Sequence, residues 1–197
     1  MNDAAMLYGL VLAGGKSRRM GSDKALLSRN GETQLSRAVH LVERFTDRVF
    51  VSVRADQAGD PERRRFASIT DRYDDIGPIA GVLSAMDAVP GAAWLVVACD
   101  LPNIDDTTLA TLLDQRDAAR PFTAFRSSHD GLPEPLCAIY EPHARRIIDA
   151  FVTEGIVCPR KMLIRSDTTL LDQPHPAALD NINTPEDLER SSLQAGT

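Results

Sequence analysis

An unbroken apolar run, Tyr8 to Ala13, stops at the glycine pair Gly14-Gly15 and passes directly into a loop carrying Lys16, Arg18, Arg19 and Lys24. This junction constrains the fold more than any other segment. A buried strand must hand its chain to a turn in which Gly14, Gly15 and Gly21 can take positive φ and approach a ligand without a Cβ in the way. Inward-turned backbone N–H groups and four cations on one short loop suit a polyanion, with a nucleoside triphosphate as the natural candidate. The competing reading is a tight connection whose basic residues are only solvated.

Two familiar phosphate loops are disfavoured. A P-loop places four residues between its glycine and a Gly-Lys-Ser/Thr, whereas Ser22-Asp23 precedes Lys24 here. A dinucleotide fingerprint needs Gly-x-Gly-x-x-Gly, and Gly14 and Gly15 are adjacent. The net charge of −6 argues against bulk nucleic-acid binding, so the basic loop stands out against an acidic protein. Lysine usage points the same way: of 22 Lys plus Arg, only Lys16, Lys24 and Lys161 are lysine. A compact ammonium on a flexible stem suits a moving phosphoryl oxygen.

A chain of 197 residues with no internal repeat or linker reads as one domain over residues 1–197. Cys99, Cys137 and Cys158 lack metal-site spacing and fit reduced thiols of a cytoplasmic protein, with Cys99 and Cys137 as small buried hydrophobes. No stretch reaches the length of a membrane span, and the N-terminal apolar run reads as a strand, not a signal peptide.

Strand-like runs alternate with helical patterns. Strands are expected at Tyr8–Ala13, Val49–Val53, Ser68–Thr70, Trp94–Ala98, Phe122–Phe125, Leu136–Tyr140 and, at an edge, Thr168–Leu171. Helices are expected on the faces marked by Leu35, Ala38, Val42 and Phe45, over Pro78–Ala88, around Leu109, Leu112 and Leu113, and around Ile147, Ile148 and Phe151. Asp105 or Asp106 caps the third of these, and Thr184-Pro185-Glu186-Asp187 reads as the start of a last one. The alternation predicts a Rossmann-like, three-layer α/β/α sandwich on a mostly parallel sheet. Arg63-Arg64-Arg65 reads as a solvated face with no role.

In such sheets the ligand crevice lies beyond the carboxyl ends of the strands. That rule gathers the Gly15–Lys24 loop, Asp71 and Asp100 into one cleft. Asp100, delivered by Trp94-Leu95-Val96-Val97-Ala98, either helps hold Mg²⁺ against triphosphate oxygens or caps the turn or helix that follows. Asp71, Asp74 and Asp75 compete for the cleft, against a reading in which they stand on the loop surface. Gly77-Pro78-Ile79-Ala80-Gly81 either lets a base or ribose lie against main chain or packs a helix tightly on the sheet. The chemistry this suggests is attack on an α-phosphorus with pyrophosphate leaving, driven by positioning and charge. Lys24 and Asp100 are the candidate catalytic pair. The four histidines are scattered and form no nucleophilic triad.

Leu12-Ala13-Gly14-Gly15…Arg19-Met20-Gly21…Asp23-Lys24, Gly77-Pro78-Ile79-Ala80-Gly81, Cys99-Asp100-Leu101-Pro102 and Asn181-Ile182-Asn183-Thr184-Pro185-Glu186-Asp187-Leu188 together resemble the molybdenum cofactor guanylyltransferases, MobA-like nucleotidyltransferases. The motifs stand in the family's order and span nearly the whole chain. The resemblance implies GMP transfer from GTP to molybdenum-bound molybdopterin with Mg²⁺ as cofactor. It implies that Leu12, Ala13, Gly14, Gly15, Arg19, Lys24, Asp71, Gly77, Gly81 and Asp100 meet the nucleotide, that Asp100 also meets the metal, and that Asn181 and Asn183 lie on the pterin side. Molybdenum-insertion proteins or molybdoenzyme chaperones are the partners such a family suggests. Cytidylyl transfer, another phosphorylated acceptor, and a non-catalytic nucleotide-binding accessory are the alternatives. The chain departs from the family at Val53-Arg54, where some members carry Asn, and at Pro133-Glu134-Pro135; Arg160 and Lys161 are read as surface charge in preference to a pterin-phosphate contact.

Overall fold

The computed structural model describes residues 5–13, 23–29 and 31–181. Gly14, Gly15, Lys16, Arg18, Arg19, Gly21, Asn183 and the expected helix start at Thr184 lie outside the described residues.

The strands are β1 (Leu7–Leu12), β2 (Ser28–Arg29), β3 (Glu32–Thr33), β4 (Val49–Val53), β5 (Ser68–Thr70), β6 (Ala93–Ala98), β7 (Phe122–Arg126), β8 (Pro133–Tyr140) and β9 (Thr168–Leu171). Seven of them form one sheet in the order β5-β4-β1-β6-β8-β7-β9, and β2 pairs with β3 as a separate short ribbon. All main-sheet pairings are parallel except those of β8, which runs against both β6 and β7. β8 also begins three residues before the expected Leu136, and the β7–β8 register shifts between Ala124 and Arg126. Thr168–Leu171 is the expected edge strand.

The helices are α1 (Gln34–Glu43), α2 (Ile79–Ala88), α3 (Asp106–Asp114), α4 (Ala144–Thr153) and α5 (Pro159–Ile164). Each strand points alternate residues to opposite faces. Val11, Val51, Leu95 and Val97 pack with Leu35, Val42, Leu109 and Leu112 of α1 and α3. Leu10, Trp94, Val96 and Tyr140 pack with Ile79, Leu83, Ile148 and Met162 of α2, α4 and α5. The result is the three-layer sandwich expected from the alternation. β1 and β6 sit at the centre, so their near-continuous apolar character follows from burial on both faces. α5, opened by Pro159 at its first turn, is the helix the sequence pattern left unassigned.

Strand order reverses at β1. The chain runs outward through β4 and β5 on one side, then crosses back by α2 to β6 on the other. The carboxyl ends of β1 and β6 therefore form the switch point where α/β sheets bind ligands.

Candidate active site

A cleft of about 790 Å³ opens at that switch point. Its wall includes Leu12 and Ala13 from the end of β1, Lys24 from the far side of the glycine loop, and Asp100 from the end of β6. Asp71 follows β5, held by its amide on the Val53 carbonyl at 2.8 Å. Gly77, Pro78 and Gly81 enter from the start of α2. The strand-end rule expects Lys24, Asp71 and Asp100 in one crevice, and the fold brings them together from segments far apart in the chain, with the 77–81 segment on the site side of its two readings. The termini of two adjacent parallel strands supply the shared edge: Leu12 pairs with Ala98, and the Cys99 amide donates to the Leu12 carbonyl at 3.2 Å.

Lys24 Nζ stands 3.8 Å from Asp100 Oδ2. Burial raises the Asp100 carboxyl above the ordinary aspartate range, and the Lys24 ammonium opposes that rise. The loop after Asp100 is pinned by α1: Arg37 donates to the Ile104 carbonyl at 2.7 Å and to that of Leu101 at 3.4 Å. Helix α3 is capped by Asp105, whose Oδ1 accepts from the Thr108 amide at 2.9 Å. Asp100 is thus not the helix cap; its carboxylate lines the cleft.

Asp71, Asp74 and Asp75 all line the cleft. Asp71 is the half-buried one. Burial raises its carboxyl, while the Ser52 hydroxyl, donating to Oδ1 at 2.7 Å, and then the Arg54 guanidinium pull it back. Arg54 also lines the cleft, its guanidinium bound to Asp56 at 2.9 and 2.7 Å. Cys99 reaches the cleft wall, but burial and then the Asp100 charge push its thiol up to about 12, so it stays protonated and is no nucleophile.

Two readings of surface charge divide. Arg160 does pair locally, with Glu134 at 2.7 Å and Asp130 at 3.2 Å, tying α5 to the β7–β8 hairpin, and Lys161 is exposed. The solvated reading of Arg63-Arg64-Arg65 holds for Arg64 and Arg65 and fails for Arg63, which is 2% exposed. Its Nη2 donates to the Ala13 carbonyl at 2.9 Å and to Asp23 Oδ2 at 2.6 Å. A run of three arginines carries no signal that one of them faces inward toward residues 40 to 50 positions away.

Asn181 is exposed and lies outside the cleft wall. The segment before it is anchored to the loop after β6, where Asn103 Nδ2 donates to the Ala177 carbonyl at 3.1 Å and Ala178 and Leu179 are buried.

A doubly wound sheet, a glycine loop leaving its central strand, and a lysine–carboxylate pair at the switch point define a nucleotidyltransferase-type fold and site. The chain belongs to the MobA-like NTP transferase family, whose domain model matches residues 9–169. It is 35% identical to a probable molybdenum cofactor guanylyltransferase of Opitutus terrae, over 95% of this chain and 96% of that one. It is 36% identical to a molybdenum cofactor biosynthesis bifunctional protein of Synechocystis over 92% of its own length, and spans about half (52%) of that larger protein. Among solved structures, the molybdopterin-guanine dinucleotide biosynthesis protein A of Archaeoglobus fulgidus superposes with a TM-score of 0.78 at 22% identity, covering 96% of this chain and all of that one. No helix among the described residues is long and apolar enough to cross a membrane.

Proposed function

We propose that this chain is a molybdenum cofactor guanylyltransferase, transferring GMP from GTP to the phosphate of molybdenum-bound molybdopterin. An acceptor phosphate oxygen attacks the α-phosphorus of GTP. The bond from that phosphorus to the oxygen bridging toward the β-phosphate breaks, and its electron pair departs with pyrophosphate. The product is the guanine dinucleotide form of the cofactor. Supporting this reading are the family, the names of the full-length relatives, and one geometric observation that carries it: Lys24 and Asp100 face each other across 3.8 Å at the switch point.

In this reading catalysis is positioning and charge stabilisation. Lys24 offsets negative charge on the transferred phosphoryl group. Leu12, Ala13, Gly77 and Gly81 line the nucleotide pocket, the resemblance adds Gly14, Gly15 and Arg19 as nucleotide contacts, and Asp71 orients the nucleotide through a carboxylate itself aligned by Ser52. The resemblance assigns Asn181, exposed and outside this cleft wall, and Asn183, outside the described residues, to pterin binding. The donor set suits Mg²⁺. Among the described residues no cluster of three or more His, Cys, Asp or Glu could hold a metal alone. A hard, desolvated carboxylate such as Asp100 is the single protein ligand that Mg²⁺ commonly combines with phosphate oxygens and water. Bound there, the ion supplies Lewis-acid polarisation of the phosphates. The buried free thiols of Cys99 and Cys137 fit a cytoplasmic setting. Molybdenum-insertion proteins or molybdoenzyme chaperones are the partners that would receive such a product.

The test is turnover with each of GTP, CTP, ATP and UTP, with Mg²⁺ and the molybdenum-loaded pterin, read as pyrophosphate release. Release with GTP and its loss on chelation are expected. Turnover with CTP and none with GTP would replace guanylyl by cytidylyl transfer, and nucleotide binding without turnover would make the chain an accessory.

A further inference from the structure

The glycine loop has two ends, Ala13 and Asp23, and one buried guanidinium holds both. Arg63 Nη2 donates to the Ala13 carbonyl at 2.9 Å and to Asp23 Oδ2 at 2.6 Å. Asp60 steadies the same side chain, with Oδ1 at 3.5 Å from Nη1 and at 3.0 Å from the Arg63 amide. Asp23 then passes the constraint onward. Its other oxygen, Oδ1, accepts from the Ala25 amide at 3.1 Å, and its carbonyl accepts from the Leu26 amide at 3.0 Å. Those two bonds fix the single 3₁₀ turn Lys24–Leu26, whose first residue presents its ammonium to Asp100. Asp23, Cys99 and Asp100 line the cleft, and the charges of Asp100, Asp23 and Arg63 all act on the Cys99 sulfur.

We propose that Arg63 is a positioning residue for nucleotidyl transfer: it clasps the entry and exit of the phosphate loop and so sets Lys24 against Asp100. The inference rests on the nucleotidyltransferase reading of the same site. A buried charge held by two carboxylates and a carbonyl is costly to assemble and collapses when one partner is lost. Arginine suits this place because one terminal nitrogen can donate in two fixed directions while the second reaches Asp60. Lysine keeps the charge on a shorter stem without that fork. The remaining donor, Nε, is buried and has no hydrogen-bond partner among the described residues, to which the guanidinium is held by its terminal nitrogens.

The experiment compares wild type, Arg63→Met, Arg63→Lys, Asp23→Asn, Lys24→Ala and the double variant Arg63→Met/Lys24→Ala. Each is assayed for pyrophosphate release with the nucleotide the wild type uses and for affinity to a fluorescent GTP analogue with Mg²⁺, after a circular dichroism melt. Arg63→Met is expected to lower kcat by roughly 10–100-fold while leaving a folded protein, as loss of positioning does. Arg63→Lys recovers part of that loss. In the Lys24→Ala background, Arg63→Met costs less than about twofold in kcat, because residues that act as a unit are not additive. A role confined to stability would give the full loss in both backgrounds or in neither. Should Arg63→Met fail to fold, Asp23→Asn replaces it in the cycle. The Asn oxygen can still accept from Ala25 while the carboxylate partner of Arg63 is gone. A folded Arg63→Met or Asp23→Asn with wild-type kcat, or a penalty repeated in full without Lys24, overturns the proposal. A wild type with no turnover on any nucleotide overturns the function instead; the clasp is then judged by whether Arg63→Met and Lys24→Ala are non-additive in nucleotide affinity.

Discussion

The two glycines that bound Gly77-Pro78-Ile79-Ala80-Gly81 look equivalent as letters, and the structure assigns them opposite reasons. Gly77 has φ of +65°, and a Cβ built there meets nothing within 4 Å. Gly81 lies in α2, and a Cβ there would sit 2.3 Å from Ser52 Oγ, 2.9 Å from Leu12 Cδ2 and 3.0 Å from Ser52 Cβ. Ser52 is 2% exposed, so its hydroxyl has little room to retreat, and that hydroxyl is the one aligning Asp71. For Gly81→Ala, overpacking costs about 1–3 kcal/mol. Displacing the Ser52–Asp71 bond adds about 1 kcal/mol, and better helix propensity returns about 1 kcal/mol. The expected net loss is about 1–3 kcal/mol, or a melting temperature lower by roughly 3–10 °C for a chain of this size. Nucleotide KM should rise with it, because Asp71 loses its aligning donor. Gly77→Ala should cost about 1–2 kcal/mol through backbone strain alone. Asparagine separates the mechanisms. Gly77→Asn recovers most of that loss, since Asn tolerates the left-handed region, whereas Gly81→Asn is worse than Gly81→Ala. Ser52→Ala added to Gly81→Ala should restore part of the stability by removing the nearest atom. Thermal melts and nucleotide KM values decide the matter. A Gly81→Ala protein with wild-type melting and KM, or a Gly81→Asn variant no worse than Gly77→Asn, would refute the packing argument.

Lys24→Ala should lower kcat by roughly 10²–10³-fold, the usual effect of losing one oriented donor; single-turnover pyrophosphate release measures it, and unchanged turnover removes Lys24 from the chemistry. Asp71→Asn should raise the melting temperature at pH 7. Burial lifts the Asp71 carboxyl above its unfolded value, so the folded state favours the proton, and wild-type stability falls as pH rises through the raised folded value. Asn does not titrate and still accepts from Ser52, so the advantage should close as pH drops below about 4, the unfolded aspartate value. Melts across pH 3–8 test this, and an Asp71→Asn protein less stable than wild type at pH 7 would contradict it.

Much of the site could be read from the residues because its parts are local. An apolar strand ending in Gly-Gly and a second ending in Asp100 each declare a strand and its carboxyl-end loop within a dozen residues. Strand–helix alternation then places those loops on one edge, since parallel strands present their carboxyl ends together. The direction of β8 could not be read this way: an apolar run has the same pattern in either sense, and only its neighbours β6 and β7 decide it. The short α5 offers too few turns for a periodic signal.

What the sequence alone determined was the chemistry in hand and the edge on which it would gather: Lys24, Asp71 and Asp100 at strand ends in an α/β sheet. Packing across the sheet settles which of three adjacent arginines turns inward to Ala13 and Asp23, which of two motif glycines is needed for space, and which of the neighbouring aspartates has a buried partner in Ser52. The physical reason is range. Propensity and periodicity act between residues a few positions apart, whereas burial, close packing and hydrogen-bond partnership are properties of surfaces that meet only after the chain has crossed the sheet.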